Sequence, residues 1–443
     1  MANPDANTFD VIVVGGGPAG SSAAVTMARK GLSVLVLERA AFPRFHIGES
    51  MLTYTSAMLD KLGVTEKVKA EGFPVKTGAE FCHTGEGFHR VDFTDQGAGR
   101  ALTTFQLERA DFDVIMLDHA AECGATVVQE ARVTKVDMEG DRVVGVTYTA
   151  QGTERSVRAR RVIDASGRAG LITKNVLRSR KYPQTTRTVA VFRHYIGVDE
   201  ATNPGVEGDI QVGAHADGWL WAIPVRKDKL SVGTVIPASM LQSAESPDAL
   251  FEEHVSRVPR IRQRIEGAEH DGTLVESEFT YYSDQVAGPG FFVVGDAGAF
   301  ANPIFSAGVY LALVSGTHAG ELTAGLLSGE REEEATVDEY QRFYKTGYDT
   351  YTRLIHGFYD HDYNLGKFLK STGARVAPMW VARLLGGDFW SEKNPLGRHL
   401  RELPDNSTFS PYEPTYGCPV YPGLDSTEPA DTKLHEPLTT ALD

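Results

Sequence analysis

The chain opens with a hydrophobic pattern typical of a strand, a helix and a second strand. In residues 9–38, FDVIVVGGGPAGSSAAVTMARKGLSVLVLE, two apolar runs flank a glycine-rich turn and a stretch of helical composition. Continuous apolar runs of this length are typical of strands that are buried on both faces of a sheet. The pattern therefore predicts a βαβ unit at the start of the chain.

Later segments alternate between strand-like and helical patterns. Residues 106–122 have the spacing of an amphipathic helix, whereas 187–236 is rich in strand-like stretches. FFVVGDAG at 291–298 is typical of a buried strand that ends in a turn, and a long helical pattern begins near 306. The separated βαβ pieces predict an α/β fold in which β-rich segments interrupt a Rossmann-like nucleotide-binding layer.

The patterns predict four parts of the chain. They are a discontinuous nucleotide-binding domain at 1–75, 106–175 and 280–335, a β-rich substrate domain at 76–105 and 176–279, a helical C-terminal region at 336–400 and a tail at 401–443. From residue 402 the tail holds seven prolines and eight acids with one lysine. This composition predicts an extended strap or disorder.

Composition narrows the class of protein. The 443 residues are 42 % hydrophobic and 23 % charged, which is ordinary for a globular protein. There is no apolar run of about 18 residues and no secretory signal pattern, so we expect no membrane span and a cytoplasmic location. Cys82, Cys123 and Cys418 lack metal-ligand spacing, so we expect no metal site. A net charge of −15 argues against nucleic acid as a partner.

The glycine-rich turn carries a dinucleotide-binding pattern. Gly15, Gly17 and Gly20 form GxGxxG between the first strand and the first helix, and Glu38 closes the second strand. Glycines allow the backbone to approach a pyrophosphate closely, and the helix N-terminus attracts its negative charge. The Glu38 carboxylate can accept hydrogen bonds from ribose hydroxyls. A glycine-rich turn that holds no ligand is the alternative.

Two later motifs resemble those of the glutathione-reductase-like FAD fold that aromatic hydroxylases share. They are VIDASG at 162–167 and Gly295-Asp296. In such enzymes the aspartate that matches Asp296 contacts the ribityl chain of the flavin. The resemblance implies FAD with contacts from Gly15, Gly17, Ala19, Gly20, Glu38, Arg39, Arg44, Ser50, Gln106, Arg109, Asp164, Gly295, Asp296, Pro303, Gly308 and Val309.

The electron donor is implied by what the motifs lack. The sequence has no second GxGxxG for a nicotinamide cofactor. Where single-component hydroxylases of this fold have Asp-Gly, the chain has Asp164-Ala165. The resemblance therefore implies that a separate flavin reductase supplies reduced FAD.

Four segments narrow the resemblance to the flavin-dependent halogenases. They are GWLWAIP at 218–224, GES at 48–50, FANPIFSAG at 300–308 and Lys76 within GFPVKTG. Matching segments extend over residues 9–330, about three quarters of the chain. The resemblance implies that reduced FAD and oxygen convert chloride or bromide to hypohalous acid, which then halogenates a ring in secondary metabolism.

The family's roles carry over to matching positions. Trp219 and Trp221 lie two apart on a strand and so face one side, where they would form a wall that keeps the substrate from the flavin. Lys76 would hold hypohalous acid or carry the halogen as a haloamine, because desolvation can free the lone pair of a lysine. The halide would be bound by Ser306, Ala307 and Gly308.

Each role has a plainer alternative. The two tryptophans fit an ordinary core strand, Lys76 a solvated surface charge and Ser306 a helix N-cap. For the whole chain the alternatives are an FAD-dependent aromatic monooxygenase or reductase of the same fold, and a silent flavoprotein or scaffold that only binds a carrier partner.

One departure from the family pattern bears on the substrate. Halogenases that act on free tryptophan have a glutamate directly before the loop serine, whereas this chain has Phe305. The difference implies a phenol- or pyrrole-type ring, which is electron-rich enough to need less assistance. Glu49, Tyr281 and Tyr282 are candidates for the base, with packing as the alternative for the tyrosines.

The helical region suggests a partner. Many relatives of this type act on rings tethered to acidic carrier proteins. Between residues 353 and 401, eight basic residues stand against four acids. The basic residues are Arg353, Lys367, Lys370, Arg375, Arg383, Lys393, Arg398 and Arg401. This excess of positive charge could attract an acidic carrier protein to one face of the chain. The alternative is that the basic residues simply lie on solvated helix faces. We expect a monomer or dimer that acts on a free or carrier-bound aromatic ring.

Overall fold

The structure is a computed structural model, which describes residues 8–83, 87–94, 103–183, 187–198, 205–278, 280–372, 376–403, 408–418 and 420. Its strands are β1 (Thr8–Val14), β2 (Val34–Leu37), β3 (Val75–Lys76), β4 (Gly78–His83), β5 (His89–Asp92), β6 (Thr104–Phe105), β7 (Thr126–Val128), β8 (Ala131–Glu139), β9 (Arg142–Ala150), β10 (Thr153–Asp164), β11 (Arg180–Lys181), β12 (Thr188–Ile196), β13 (Ile210–His215), β14 (Gly218–Arg226), β15 (Lys229–Pro237), β16 (Glu269–His270), β17 (Leu274–Glu278), β18 (Tyr282–Ser283), β19 (Ala287–Gly288) and β20 (Phe291–Val293).

The helices follow the same chain order. They are α1 (Pro18–Ala28), α2 (Thr53–Leu62), α3 (Thr65–Ala70), α4 (Arg109–Glu122), α5 (Ala238–Ser243), α6 (Pro247–Ser256), α7 (Pro259–Arg264), α8 (Gly308–Ser328), α9 (Glu333–Tyr359), α10 (Leu365–Ser371), α11 (Pro378–Gly386) and α12 (Pro395–Glu402). Short 3₁₀ turns at Gly295–Ala297 and Pro303–Phe305 precede α8.

The first sheet carries the three predicted flavin motifs. Its strand order is β19-β20-β10-β1-β2-β7, and β8 and β9 extend it from β10. The strands β20, β10, β1, β2 and β7 are parallel, with Val14 opposite Asp164 and Asp164 opposite Val293. The glycine turn, VIDASG and Gly295-Asp296 therefore meet at the carboxyl edge of the sheet, where ligands bind in open α/β folds.

The second sheet presents different residues to its two sides. Its order is β16-β12-β15-β14-β13-β4-β5, and β17 also pairs with β12. Along β14, Trp219 and Trp221 belong to the core that includes the first sheet, whereas Leu220 packs with Phe251 and Val258 of α6 and the segment that precedes α7. The period of two thus directs both tryptophans toward the nucleotide-binding layer.

An extended segment follows the C-terminal helices and packs along one of them. Residues 408–418 contain no helix or strand, in line with the predicted strap. The Asp349 carboxylate of α9 accepts hydrogen bonds from the Thr408 amide at 3.0 Å and the Tyr412 hydroxyl at 3.1 Å. The Thr415 amide donates to the Thr346 hydroxyl at 2.9 Å. The segment therefore lies along α9, while residues 421–443 of the predicted tail lie outside the described residues.

The predicted α/β fold with inserted β-rich segments and C-terminal helices is confirmed. The helix predicted at 106–122 is α4, and the long helix predicted near residue 306 is α8. The domain boundaries given above stay a prediction. None of the described helices has the length and apolar character needed to cross a membrane.

Candidate active site

The glycine turn is a position where side chains cannot be accommodated. Gly15 has a φ of +106°, and a Cβ there would lie 2.3 Å from the Ala165 carbonyl oxygen. A Cβ at Gly20 would lie 1.9 Å from the Gly15 carbonyl oxygen. Gly17 is the N-cap of α1, and no acidic residue stands in the first turn to offset its positive end. The N-terminus of α1 therefore presents the positive end of its helix dipole to an anion.

Glu38 is held at this turn. Its carboxylate accepts hydrogen bonds from the Gly16 amide at 2.7 Å and the Ala40 amide at 2.9 Å. The adjacent Arg39 is exposed. Ala19 of α1 lies against Gly295, because a Cβ at Gly295 would approach the Ala19 Cβ to 3.0 Å. The first and last flavin motifs are therefore in direct contact.

Arg44 and Arg109 share one buried carboxylate. Asp113 is bonded by Arg109 at 2.9 Å through both oxygens, and it lies 3.2 Å from Arg44. Arg109 also donates to the Ile47 carbonyl at 2.9 Å. A Cβ at Gly48 would lie 3.8 Å from the Val309 side chain. Arg109 thus holds the loop before Glu49 next to the start of α8.

The two motif aspartates differ in their surroundings. The Asp164 carboxylate is buried and accepts from the Ser166 amide at 3.1 Å and the Ile172 amide at 2.6 Å, so it stabilises its own turn. Asp296 is partly accessible, and desolvation raises the pKa of its carboxyl to about 6 against the opposing guanidinium charges of Arg109, Arg168 and Arg180. An aspartate at such a position is suited to accept hydrogen bonds from ligand hydroxyls.

Lys76 is the most unusual charged residue of the site. Its side chain is 2 % exposed, so the surface-charge alternative is wrong. The amine donates to the Ser50 hydroxyl and the Met51 carbonyl, both at 2.9 Å. Desolvation lowers its pKa to about 7, although the charge of Asp209 acts in the opposite direction. Asp209 itself is bonded to the Thr77 and Gly78 amides and to Arg90.

Backbone pairing brings Lys76 and the GES loop together. Lys76 of β3 lies opposite Thr104 of β6, and Ser50 forms a bridge with Gln106 two residues later. The Gln106 side chain is buried and donates to the Gly208 carbonyl at 2.8 Å. Two segments distant in sequence from β3 therefore fix the position of the amine.

The two tryptophans form a continuous buried surface. Their ring centroids are 5.9 Å apart, and each indole N–H has an acceptor. Trp221 donates to the Ser231 hydroxyl at 3.1 Å within the sheet, whereas Trp219 donates to the Tyr359 hydroxyl of α9 at 2.9 Å. Gly233 lies opposite Trp221, and a Cβ there would come within 2.3 Å of the indole. The space for the ring depends on that glycine.

The loop before α8 has an unusual backbone conformation. Ser306 adopts φ +59° and ψ +28°, which is the left-handed region that non-glycine residues rarely enter. The N-cap of α8 is Ala307 and it makes no side-chain cap bond, so the N-cap alternative for Ser306 is wrong. Pro303 begins the 3₁₀ turn, and Gly308 is the first residue of α8. A Cβ at Gly308 would meet no atom within 4 Å, so open space lies beside it.

Phe305 is buried in an aromatic cluster. Its ring centroid is 5.3 Å from that of Phe358 in α9 and 6.4 Å from that of Phe81 in β4. Tyr359, which accepts from Trp219, is the next residue after Phe358. The end of α9 therefore contacts both the flavin loop and the tryptophan surface.

Of the three candidate bases, Glu49 alone has a buried oxygen with no hydrogen-bond partner among the described residues. Its other carboxylate oxygen lies 2.5 Å from His194 Nε2. Tyr281 donates to the Asp296 carbonyl at 2.7 Å, and burial raises the pKa of its phenol, so it is poorly placed to act as a base. Tyr282 lies in β18 and packs against Phe409.

Sequence reasoning missed a row of tyrosines on α9. Tyr340, Tyr344 and Tyr351 donate to the carbonyls of Val293, Gly295 and Asn302 at 2.8, 2.7 and 2.7 Å. These carbonyls belong to the segment that carries Asp296 and leads to Ser306. Helical spacing of the tyrosines was visible in the sequence, but their acceptors were not. His194 and Tyr359 were also missed, because only the folded sheet and helix place them at the site.

The predicted basic surface is smaller than its sequence suggested. Arg353, Arg383 and Arg401 turn inward to Asp349, Asp388 and backbone carbonyls. Arg375 lies outside the described residues. The remaining cations, which are exposed, are Lys367, Lys370, Lys393 and Arg398. The same region has three exposed acids, Asp360, Asp362 and Glu392. The exposed side chains therefore carry a surplus of one positive charge.

The residues fit an FAD cofactor. The glycine turn is packed too tightly for side chains at Gly15 and Gly20, Glu38 directly follows β2 where a ribose would lie, and the partly accessible Asp296 is close enough to Arg109 to feel its charge. The described residues hold no group of three or more potential metal ligands.

Comparisons with known proteins agree with this geometry. The family model described as "FAD binding domain" matches residues 8–343. A tryptophan 2-halogenase of Chondromyces crocatus is 35 % identical over 359 residues, covering 79 % of this chain and 67 % of that protein. The 1H-pyrrole-2-carbonyl-[peptidyl-carrier protein] brominase of Pseudoalteromonas luteoviolacea is 31 % identical, covering 86 % and 92 %. The solved flavin-dependent brominase Bmp2 is 30 % identical with a TM-score of 0.80, covering 89 % and 97 %.

Proposed function

The chain belongs to the flavin-dependent halogenases, and from that premise we propose that it halogenates an electron-rich phenol- or pyrrole-type ring with reduced FAD, oxygen and chloride or bromide. The observation that carries this proposal is the desolvated Lys76 amine beside the GES loop. When bound, FAD supplies the oxidising chemistry that turns halide into hypohalous acid. The remaining steps belong to the protein's own residues.

The FAD site is proposed at the carboxyl edge of the first sheet. The N-terminus of α1, which follows its N-cap Gly17, would hold the pyrophosphate, and Glu38 would hold the ribose. Asp296 would bind the ribityl chain from the turn that Tyr344 holds. Asp164 and Gln106 make internal hydrogen bonds and would support the site indirectly.

We propose that Lys76 acts as a neutral amine. A neutral amine has two N–H bonds, and the Ser50 hydroxyl and the Met51 carbonyl accept both. Its lone pair would then be free to bind hypohalous acid or to take the halogen as a haloamine. A pKa of about 7 leaves much of the amine neutral at physiological pH.

The halide and the ring are proposed to lie in separate places. Ser306 has a strained conformation, and its amide is bonded to the Pro303 carbonyl at 2.8 Å, so a halide would use the Ala307 and Gly308 amides and the Ser306 hydroxyl. Trp219 and Trp221 would keep the substrate ring away from the flavin, while the smaller hypohalous acid passes to Lys76.

The aromatic surroundings of Phe305 support the proposed substrate class. An aromatic side chain there offers packing and no charge, which suits a ring that is already electron-rich. The matched brominase acts, by its name, on a pyrrole carried by a peptidyl carrier protein. We extend that class to this chain, with a free ring as the alternative. A separate flavin reductase is proposed as the electron donor, because residue 165 is Ala.

The proposal is tested by Lys76→Met. Mass spectrometry of reactions with FAD, a reductase, bromide and a panel of phenols and pyrroles should show no halogenated ring from the variant. FAD binding should equal wild type, and taurine should still trap hypohalous acid released to solution. Lys345→Met is the matched control, since burial also lowers the pKa of Lys345 but it lies on α9 beside Phe409. Wild-type product formation by K76M would remove Lys76 from the mechanism.

A further inference from the structure

Glu49 of the GES segment forms a buried pair with His194, which lies in none of the family motifs. Glu49 is 4 % exposed, and its Oε1 lies 2.5 Å from His194 Nε2. Its second oxygen, Oε2, is buried and has no hydrogen-bond partner among the described residues. Leaving a buried carboxylate oxygen unpaired is costly, so an absent group that donates a hydrogen bond is indicated.

Aromatic rings surround this pair. Phe45 is 57 % exposed, and its ring stacks on Phe192 with centroids 6.1 Å apart and planes 18° apart. The edge of His194 meets both rings, at 5.6 Å from Phe45 and 6.0 Å from Phe192. A large exposed aromatic side chain beside a buried acceptor is suited to a flat ring that carries a polar hydrogen.

The pair is connected to both parts of the halogenation machinery. Glu49 directly precedes Ser50, which accepts from Lys76 at 2.9 Å. His194 lies opposite Ser231 in the β12–β15 ladder, and Ser231 accepts from Trp221. Phe192, two residues before His194, is 5.9 Å from the Trp221 ring. The pair thus lies between the residues proposed to hold the halogen and those proposed to form the wall.

We propose that Glu49 and His194 form the proton-accepting pair of the halogenation site, with Glu49 Oε2 binding the O–H or N–H of an aromatic ring held against the exposed Phe45. The inference rests on the proposed function and names the group of the substrate that is recognised. Glu49 is the catalytic residue, because it contacts the ring's polar hydrogen. His194 is a positioning residue that holds the carboxylate and shares its proton.

The proton balance is simple. Glu49 removes the O–H or N–H proton, and the electron pair left on the ring becomes available at carbon. That carbon forms its bond to halogen while the bond from halogen to oxygen in hypohalous acid breaks. The departing hydroxide takes up the ring C–H proton and leaves as water, which restores the aromatic ring, and Glu49 returns its proton to the oxygen or nitrogen of the product. The net change is one C–H replaced by C–halogen, with one water formed.

The test compares Glu49→Gln with wild type on two phenols. For phenol itself, which is neutral at pH 8, we expect turnover to fall about 100-fold or more. For a nitrophenol that is already ionised at pH 8, the turnover of E49Q should be less than about ten-fold below that of wild type. His194→Gln should give a smaller loss with the same dependence on the phenol. Glu80→Gln is the matched control, because Glu80 is also buried in the second sheet but Gln211 and Arg260 pair with it.

Two measurements separate this inference from the proposed function. E49Q should bind FAD with wild-type affinity and should release as much hypohalous acid as wild type, measured by trapping with taurine. The oxidant would then form without halogenating the ring. NMR titration of the FAD-loaded protein with phenol, which needs no turnover, should show binding at least about ten-fold weaker in E49Q than in wild type or E80Q.

Several results would overturn the inference. Equal deficits for the neutral and ionised phenols would show that Glu49 is merely structural. Loss of FAD affinity or of trapped oxidant in E49Q would assign the carboxylate to the flavin ring instead. Unchanged phenol binding would exclude recognition by Oε2. If wild type formed no halogenated ring and no trapped oxidant, the proposed function would fail, while the phenol titration would still decide the binding step.

Discussion

The amine of Lys76 lies 2.9 Å from both the Ser50 hydroxyl and the Met51 carbonyl, and neither group carries a charge that would stabilise an ammonium ion. Burial therefore lowers its pKa from 10.5 to about 7. The cost of burying this side chain is greatest when it is protonated, which links the proposed chemistry to the stability of the fold.

This linkage predicts how Lys76→Met changes stability with pH. Between the folded pKa of about 7 and the unfolded value of 10.5, the unfolded chain binds more protons at Lys76, so its contribution to stability rises with pH. The free energy of unfolding of wild type relative to K76M should increase by about 3.5 kcal/mol from pH 7 to pH 10, at 1.36 kcal/mol per unit, because the folded amine is half protonated at pH 7 and the unfolded one is partly deprotonated at pH 10. Urea denaturation of both proteins measures it. A difference that does not change with pH would contradict the buried, neutral amine.

Within the second sheet, β14 and β15 make room for the tryptophan surface. A Cβ at Gly233 would lie 2.3 Å from Trp221 and 2.5 Å from the Phe192 Cβ, whereas one at Gly213 would meet Val258 on the opposite side at 2.7 Å. Gly233→Ala and Gly213→Ala should each cost about 1–3 kcal/mol of stability by overpacking.

Only Gly233→Ala should change the chemistry, because only that methyl displaces Trp221. We expect it to raise the ratio of taurine-trapped oxidant to halogenated ring, and G213A to leave this ratio at the wild-type value. Equal ratios in the two variants would show that the position of Trp221 does not control where the oxidant goes.

Helix α9 contacts the site at two separate points. Tyr351 holds the flavin loop through the Asn302 carbonyl, and Tyr359 holds Trp219. Tyr351→Phe should weaken FAD binding about two- to ten-fold by loosening that loop. Tyr359→Phe should leave FAD affinity unchanged and lower the share of oxidant that reaches the ring. Fluorescence titration of FAD and product counts per reduced flavin distinguish them. Weaker FAD binding in Y359F than in Y351F would contradict the assignment of Tyr351 to the flavin loop and of Tyr359 to Trp219.

Across the molecule, the parts predicted well from sequence are those that local patterns determine. GxGxxG, the following helix and Glu38 lie within one βαβ unit, so their arrangement followed from glycine spacing and apolar runs. The local sequence around Lys76 does not predict its burial, because Asp209, Ser50 and Thr104 approach it from distant segments. Only the resemblance to the family implied a desolvated amine at this position.

Long-range packing explains what the sequence did not show. His194 meets Glu49 across a sequence separation of 145 residues, and Tyr359 reaches Trp219 from the end of a 27-residue helix. Charge counting failed for the C-terminal region because Arg353 and Arg383 are neutralised internally by Asp349 and Asp388. A count of basic residues cannot distinguish a surface cation from a buried ion pair.

The most direct measurement is the identity of the product as bromide is titrated into a reaction of wild-type protein with FAD, reductase, oxygen and an accepted phenol or pyrrole. We predict that mass spectrometry shows no oxidised ring without halide and a brominated ring, with its paired isotope pattern, that increases with bromide to saturation. A hydroxylated ring formed without halide, at a rate that bromide does not change, would contradict halogenation as the activity of this chain.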